Sequence, residues 1–205
     1  MNLYNKYILP KVIDWACSQK PTRKQRAKVV PHAQGNVLEI GIGSGLNLPF
    51  YKADAIKHLT AIDPSVETWK RNKMNVQTLP FEFKFIKAFA ENIPADNNSF
   101  DTVVITYAMC TIPDTHKALA EIRRVLKANG KLLFCEHGKA PDAAVQKWQN
   151  RINPLWKRIG GGCNLNKDIP LLIKSNGFKI QQLNTMYIPG WKPASFNYWG
   201  RAEIS

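Results

Sequence analysis

The sequence predicts an α/β domain with a nucleotide-binding corner, on three observations. Apolar strand-like runs alternate with helix-like segments along 205 residues, the pattern of a largely parallel sheet. The first run, Val37-Leu38-Glu39-Ile40, opens directly into Gly41-Ile42-Gly43-Ser44-Gly45. Glycine has no Cβ, so a backbone can turn tightly there and approach a ligand closely. A second run, Leu59-Thr60-Ala61-Ile62-Asp63, ends in an acid 22 residues after Gly41. A carboxylate at that place can accept hydrogen bonds from both ribose hydroxyls. An ordinary tight turn and a helix-capping aspartate are the plainer readings of the same residues.

Each element carries its own signal. Residues 46–51 begin a helix after the first strand. Residues 66–75 form the next, capped by Ser65. Phe81, Phe83 and Phe85 alternate with Glu82 and Lys84, a strand of period two. The near-continuous apolar run at 100–105 is a buried central strand. Residues 117–127 place Leu119, Ile122 and Leu126 on one helix face, and Asn129-Gly130 stops that helix. Strands follow at 131–135, 178–185 and 195–202. Val145, Trp148, Ile152, Leu155 and Ile159 mark an amphipathic helix that Pro154 is expected to interrupt. Ahead of the first strand, Leu3, Tyr7, Ile8, Val12 and Trp15 share an apolar face broken at Pro10, and 19–28 is a basic connector or second helix.

Composition narrows the function classes. No run of about 18 apolar residues suits a membrane span. The opening M-N-L-Y-N-K-Y-I-L-P lacks the pattern of a signal peptide, so the expected location is the cytoplasm. Cys17, Cys110, Cys135 and Cys163 are scattered with no C-x-x-C, which argues against a zinc site or a disulfide framework. No metal ligands are therefore expected. The chain has 29 basic and 15 acidic residues, a net charge of +14. Such a field attracts nucleic acid, anionic lipid or an acidic substrate. In the first thirty residues Lys6, Lys11, Lys20, Arg23, Lys24, Arg26 and Lys28 face only Asp14. That segment reads as a lid over the cofactor or as a surface helix making peripheral contact with an anionic membrane; solvated surface is the plain alternative.

The glycine spacing is G-x-G-x-G, with Glu39 two residues ahead; a dinucleotide fingerprint would place glycine where Leu46 stands. The segment resembles motif I of the class I S-adenosylmethionine (SAM) methyltransferases. Ala88-Phe89-Ala90-Glu91-Asn92-Ile93-Pro94 resembles that family's D-A-E-x-L-P, with Phe89 in place of the aspartate. Glu121-Ile122-Arg123-Arg124-Val125-Leu126-Lys127-Ala128-Asn129-Gly130 resembles its E-x-x-R-V-L-K-P-G-G. The resemblance implies a Rossmann-like doubly wound sheet of seven strands, order 3-2-1-4-5-7-6. It also implies an N-terminal helical lid at 1–30, a SAM-binding domain at 31–205 and a lid insertion at 138–170. The cofactor would be SAM, bound by Glu39, Gly41, Gly43, Gly45, Asp63, Pro64, Ala90, Glu91 and Tyr107.

A narrower resemblance follows. Phe134-Cys135-Glu136-His137, Trp148-Gln149, Asn153-Pro154-Leu155-Trp156 and Gly162-Cys163-Asn164-Leu165 are similar to a branch holding the membrane-associated alkyl-thiol S-methyltransferases of animals and their bacterial relatives. The apolar N-terminal anchor of the animal proteins is not expected here. The implied function is methyl transfer to a small molecule, an apolar thiol, with phospholipid or quinone-precursor methylation as the alternative. His137, after a strand's carboxyl end, is the expected base or orienting donor, and Tyr107 the second catalytic candidate. A nucleic-acid role ranks low: Thr106-Tyr107-Ala108-Met109 is no base-flipping motif, and the length leaves no room for an RNA-binding domain.

Overall fold

The computed structural model describes residues 8–205. The expected contacts of Leu3 and Tyr7 lie outside that range. Seven strands form one sheet: β1 (Gly35–Ile40), β2 (Ile56–Ile62), β3 (Glu82–Ile86), β4 (Phe100–Thr106), β5 (Leu126–His137), β6 (Phe178–Tyr187) and β7 (Phe196–Ile204). Their order is β3-β2-β1-β4-β5-β7-β6, as the family resemblance implied. Strands β1 to β5 pair in parallel, and β7 runs antiparallel between β5 and β6. The fold is Rossmann-like α/β.

The central strands are apolar on both faces because both are covered. Leu38 and Val103 are fully buried on one side, Val37 and Val104 on the other. On the first side the cover comes from α4 (Thr115–Val125), α5 (Ala143–Ile159) and α6 (Ile169–Ser175), through Leu119, Ile122, Val145 and Ile173. The second side is closed mainly by short turns. Val29, Val30, Leu48 and Tyr51 pack there, and Trp69 stacks on Phe85 and Phe83 at centroid distances of 5.1 and 5.3 Å.

Several local expectations change. Residues 46–51 do not start an α-helix; a single 3-10 turn spans Leu48–Phe50, with Pro49 in its first turn. The helix expected at 66–75 is only α3 (Val66–Trp69), although Ser65 Oγ does accept its cap bond from the Thr68 N–H at 3.1 Å. Beyond it the Asn72 side chain accepts from the Met74 N–H at 3.0 Å, a local turn that competes with helix. Helix α5 runs straight through Pro154. The bond lost there would go to the Asn150 carbonyl, on an exposed residue, where water can replace it. Helix α6 carried a readable signal, Asp168 capping the Leu171 N–H ahead of Pro170.

The N-terminal segment folds as α1 (Leu9–Cys17) and α2 (Lys20–Arg26). Pro10 and Pro21 sit in the first turns of the described helices, where a missing N–H costs nothing. Both helices lie at the carboxyl ends of the strands. Asp14 of α1 bonds Ser44 Oγ of the glycine loop and accepts Arg71 Nη2 at 3.1 Å.

Gln149 ties α5 to the rest of the molecule. Fully buried, it accepts from the Ala140 N–H at 3.0 Å and donates to the carbonyls of Gly138, Leu165 and Pro193 at 2.9 Å each. Gln149→Leu leaves these backbone groups unpaired, at about 1–3 kcal/mol for each buried group that water cannot reach. We expect urea unfolding to show a loss of roughly 2–4 kcal/mol. Unchanged stability would mean that α5 is held by apolar contact alone.

Candidate functional site

A cavity of about 360 Å³ opens at the carboxyl ends of β1, β2 and β4, the crevice where ligands bind in open α/β sheets. Gly41, Gly43, Asp63, Pro64, Ala90, Glu91 and Tyr107, all expected from the sequence, line it. Gly41 has φ +71°, and a Cβ there would stand 2.5 Å from Ala108 Cβ, so only glycine lets the β1 loop pass the β4 loop. Gly43, at φ +57°, donates its N–H to Asp63 Oδ2 at 2.9 Å, and the Ser65 N–H bonds Oδ1 at 2.8 Å. The Asp63 carboxylate is thus fixed in orientation, with acceptor capacity left for a ligand. Burial pushes its pKa up, and the two backbone N–H groups oppose that. Phe89, 61% exposed, also lines the cavity, where the family pattern has an aspartate.

Two expected cofactor residues are placed elsewhere. Glu39 is only 1% exposed and lies beneath the loop, off the cavity wall. Its Oε1 accepts from Asn47 Nδ2 at 2.9 Å and its Oε2 from the Tyr51 hydroxyl at 2.7 Å. Gly45 faces an adjoining cavity with Arg71 and Asn72. The reason is the turn at Leu48–Phe50, which brings Asn47 and Tyr51 back under the loop in place of a helix.

Arg26 is the residue that sequence reading passed over as one more surface cation. It is 6% exposed and lines the cavity from α2. Its Nη1 donates to Asn47 Oδ1 at 2.9 Å and to Thr106 Oγ1. The guanidinium lies over the Tyr107 ring, 5.0 Å from its centroid. Arg26 Nε has no partner among the described residues. Its nearest carboxylate, Glu39, lies across Asn47 and makes no ion pair with it, so the buried cation can still accept an anionic ligand group.

The two catalytic candidates separate. The Tyr107 ring lines the cavity, but its hydroxyl donates to buried Asn197 Oδ1 at 2.6 Å. Burial holds that phenol well above its ordinary pKa, so it is no proton acceptor near neutrality. Its backbone adopts φ +52°, with the N–H on the Cys135 carbonyl at 2.9 Å. His137 is not on the cavity wall. Its Nε2 meets Cys163 Sγ at 3.3 Å, and Nδ1 has no partner among the described residues. Cys110 Sγ, Cys163 Sγ and a His137 ring nitrogen all lie within 4.8 Å of one another. Cysteines scattered in sequence are therefore gathered in space. The Cys110 thiol, and after it the His137 ring, hold Cys163 down to about 4 against burial. Burial lowers the His137 pKa, but Cys163 outweighs it and the net direction is upward. Neighbouring Glu136, fully buried, does not reach a ligand. Its Oε1 accepts the N–H groups of Ala108 at 2.9 Å and Met109 at 3.0 Å, which sets the β4 loop.

Burial raises Glu39 from 4.5 to about 7, against the hydrogen bonds of Tyr51 and Asn47 and the Arg26 charge. At about 1.4 kcal/mol per pH unit this corresponds to roughly 3 kcal/mol. The folded-state value lies above the unfolded one. Its contribution therefore favours folding fully below pH 4.5 and is lost as pH rises through about 7. Glu136, also raised to about 7 by burial, acts in the same direction. Glu39→Gln should flatten the fall in unfolding free energy between pH 5 and pH 7.5 without abolishing it. An unchanged slope would show that Glu39 stays ionised throughout.

Residues 38–134 match the methyltransferase domain family. Thiol S-methyltransferase TMT1B of Homo sapiens is 31% identical to this chain, over 90% of it and 78% of that protein. The Rattus norvegicus protein of the same name is 33% identical over 79% of this chain and 65% of its own length, so the chain spans just under two thirds of it. Phosphatidylethanolamine N-methyltransferase of Cereibacter sphaeroides is 32% identical over 63% of this chain and 65% of that protein. Among solved structures, geranyl diphosphate methyltransferase in complex with SAM shares the fold, with a TM-score of 0.71 at 13% identity over 90% of this chain and 86% of that one. With these matches, the chain belongs to the SAM-dependent methyltransferase family, alongside the thiol S-methyltransferases.

Proposed function

We propose that the chain methylates a small apolar thiol, with SAM bound across the carboxyl ends of β1, β2 and β4. The observation that carries the reading is one cavity with two chemically different parts. Asp63 and Arg26 supply charge and hydrogen bonding, whereas Ile13, Cys17, Ile112, Pro113 and Gly161 make an apolar part beneath α1 and the loop after α5. When bound, SAM supplies an electrophilic methyl group on a sulfonium. Asp63 accepts hydrogen bonds from the ribose hydroxyls. The Arg26 guanidinium faces the carboxylate of the methionine portion and offsets its charge. Tyr107 and Ala108 stand between the two parts and align them. Alignment and exclusion of water are what such a displacement most needs from a protein. The segment at 1–30, where described, then acts as the lid, because α1 and α2 contribute Ile13, Asp14, Cys17 and Arg26 to the cavity wall.

The same lid supports a membrane-side route for the acceptor. On α1, Val12 and Trp15 are exposed; on α5, Trp148 and Leu155 are exposed, and so is Trp191. Exposed Lys11, Lys147, Arg151 and Arg158 accompany them. The two helices come together at Gly161, where an added Cβ would stand 2.8 Å from Leu9 Cδ2. Among the described residues no helix is long and apolar enough to cross a membrane. A surface helix with an apolar stripe and flanking cations rests on anionic lipid, and contact of this kind opens the cavity toward apolar thiols dissolved in the bilayer.

Four outcomes check this reading. Calorimetry should show Asp63→Ala weakening SAM binding by roughly 10- to 100-fold, the worth of hydrogen bonds to a charged group. Arg26→Ala should abolish the preference for SAM over its decarboxylated analogue; a preserved preference would remove Arg26 from the carboxylate. Incubation with an alkyl thiol, hydrogen sulfide, phosphatidylethanolamine and a phenol side by side should give the methylated alkyl thiol, and turnover of the lipid alone would overturn the thiol reading. Cosedimentation should favour anionic over neutral vesicles and weaken with salt, because the Debye length falls from ~10 Å at 0.1 M to ~3 Å at 1 M. Equal binding by the Trp15→Glu/Trp148→Glu variant would remove the α1–α5 face from the membrane contact.

A further inference from the structure

We propose that Cys110, Cys163 and His137 form a three-ligand site for a zinc-class cation, with its fourth position left for the sulfur of an acceptor thiol. The thiol half of this proposal rests on the reading above; the metal site does not.

Three segments far apart in sequence deliver the donors: the turn after β4, the last residue of β5 and the loop after α5. The fold holds them together independently of the donors themselves. The Asn164 N–H and its Nδ2 both bond the Cys110 carbonyl at 3.0 Å, which clamps the loop carrying Cys163 onto the turn carrying Cys110. Glu136, next to His137, holds the Ala108 and Met109 amides of the same turn.

The distances suit a small soft cation. All three donor atoms lie within 4.8 Å of one another, so some point is no farther than about 2.8 Å from each of them. Zinc bonds of ~2.3 Å to sulfur and ~2.0 Å to nitrogen, at tetrahedral angles, put a sulfur and a nitrogen about 3.6 Å apart. Cys163 Sγ and His137 Nε2 are 3.3 Å apart already. The remaining separations, at most 4.8 Å, close to tetrahedral values with a contraction of up to about 1 Å.

Apart from contacts among the donors themselves, Cys110 Sγ meets the Tyr107 carbonyl at 4.0 Å, the outer limit for sulfur, and the Trp156 indole bonds Cys163 Sγ. Two thiolates and a neutral imidazole balance the charge of a divalent cation. Two cysteines and one histidine with an open position is a ligand set of catalytic rather than structural zinc. Thr111, which follows Cys110, and Gly161, two residues before Cys163, both line the cavity, as does Cys17. The three donors lie behind that wall, so the site borders the apolar part of the cavity, and the fourth position is assigned to that side. A thiol reaching it would replace a bound water, lose its proton to solvent and be held as the thiolate, since a metal-coordinated thiol is deprotonated outright. That supplies at neutral pH the sulfur form that free thiols reach only near pH ~8.5.

The test uses the full chain, reduced, loaded with Zn²⁺ and desalted, with metal measured by mass spectrometry. One zinc per chain is expected. Co²⁺ in its place should give thiolate-to-cobalt charge transfer in the near ultraviolet and strong tetrahedral bands in the red. Cys110→Ser, Cys163→Ser and His137→Ala should each weaken the metal by well over the ~10- to 100-fold that loss of a mere supporting contact gives; Cys17→Ser should retain it. Should the variants unfold, zinc protection of Cys110 and Cys163 against maleimide in the unaltered chain reports the same site. Sub-stoichiometric metal with both thiols free, a Cys110–Cys163 disulfide in its place, or full retention in Cys163→Ser overturns the site and leaves the methyltransferase reading standing. Addition of an alkyl thiol should shift the cobalt bands. Bound metal with unshifted bands overturns the open position, whether or not thiols are methylated.

Discussion

A buried carboxylate with no water to solvate it governs the site. Glu39 ends β1, and because it is buried its oxygens have to be answered from within the protein. Asn47 and Tyr51 answer them. Asn47 in turn donates to Thr106 Oγ1 at 2.9 Å at the end of β4, and accepts from Arg26 of α2. One connected network thus joins two adjacent strand ends, the turn after the glycine loop and the N-terminal helices. A network of this kind fixes one geometry, since loss of any member leaves others unpaired. The glycine loop is therefore held from beneath by side chains. A helix N-terminus, the usual support for such a loop, is replaced by the turn at Leu48–Phe50.

The same network makes the N-terminal segment part of the site. Arg26 reaches the cavity only because α2 is drawn down onto Asn47 and Thr106, and Asp14 clamps α1 across Ser44 and Arg71. The excess positive charge of the first thirty residues thus divides into two kinds. Arg26 is buried on the cavity wall, whereas Lys11 and Lys24 remain in solvent. Net charge alone could not make that distinction.

Much of the architecture was legible because it is written locally. Strands β1, β2 and β4 carry apolar cores at Val37-Leu38, Ala61-Ile62 and Val103-Val104-Ile105, and Gly41, Gly43 and Asp63 sit where backbone geometry and hydrogen bonding require them. The strand order came from the family resemblance, since pairing is not a local property. What could not be read was long-range. Glu39 looked like a ligand-facing acid because nothing in the neighbouring sequence announces that Asn47 and Tyr51 return beneath it. His137 looked like a lone titratable group, and Cys110 and Cys163 like scattered thiols. Only the packing of the loop after α5 onto the β4 turn brings the three together. Pro154 and Pro10 were read as breaks because sequence does not show whether a lost N–H faces water or falls in a first helical turn.

Central to this account is that α1 and α2 belong to the cofactor site through Arg26. Hydrogen–deuterium exchange of the full chain with and without SAM tests it most directly. The account predicts that SAM slows amide exchange in Leu9–Cys17 and Lys20–Arg26 together with the glycine loop. It also predicts that Arg26→Ala loses the protection in the helices while keeping it at Gly41 and Gly43. Protection confined to the glycine loop and the end of β2 in the unaltered chain would contradict it.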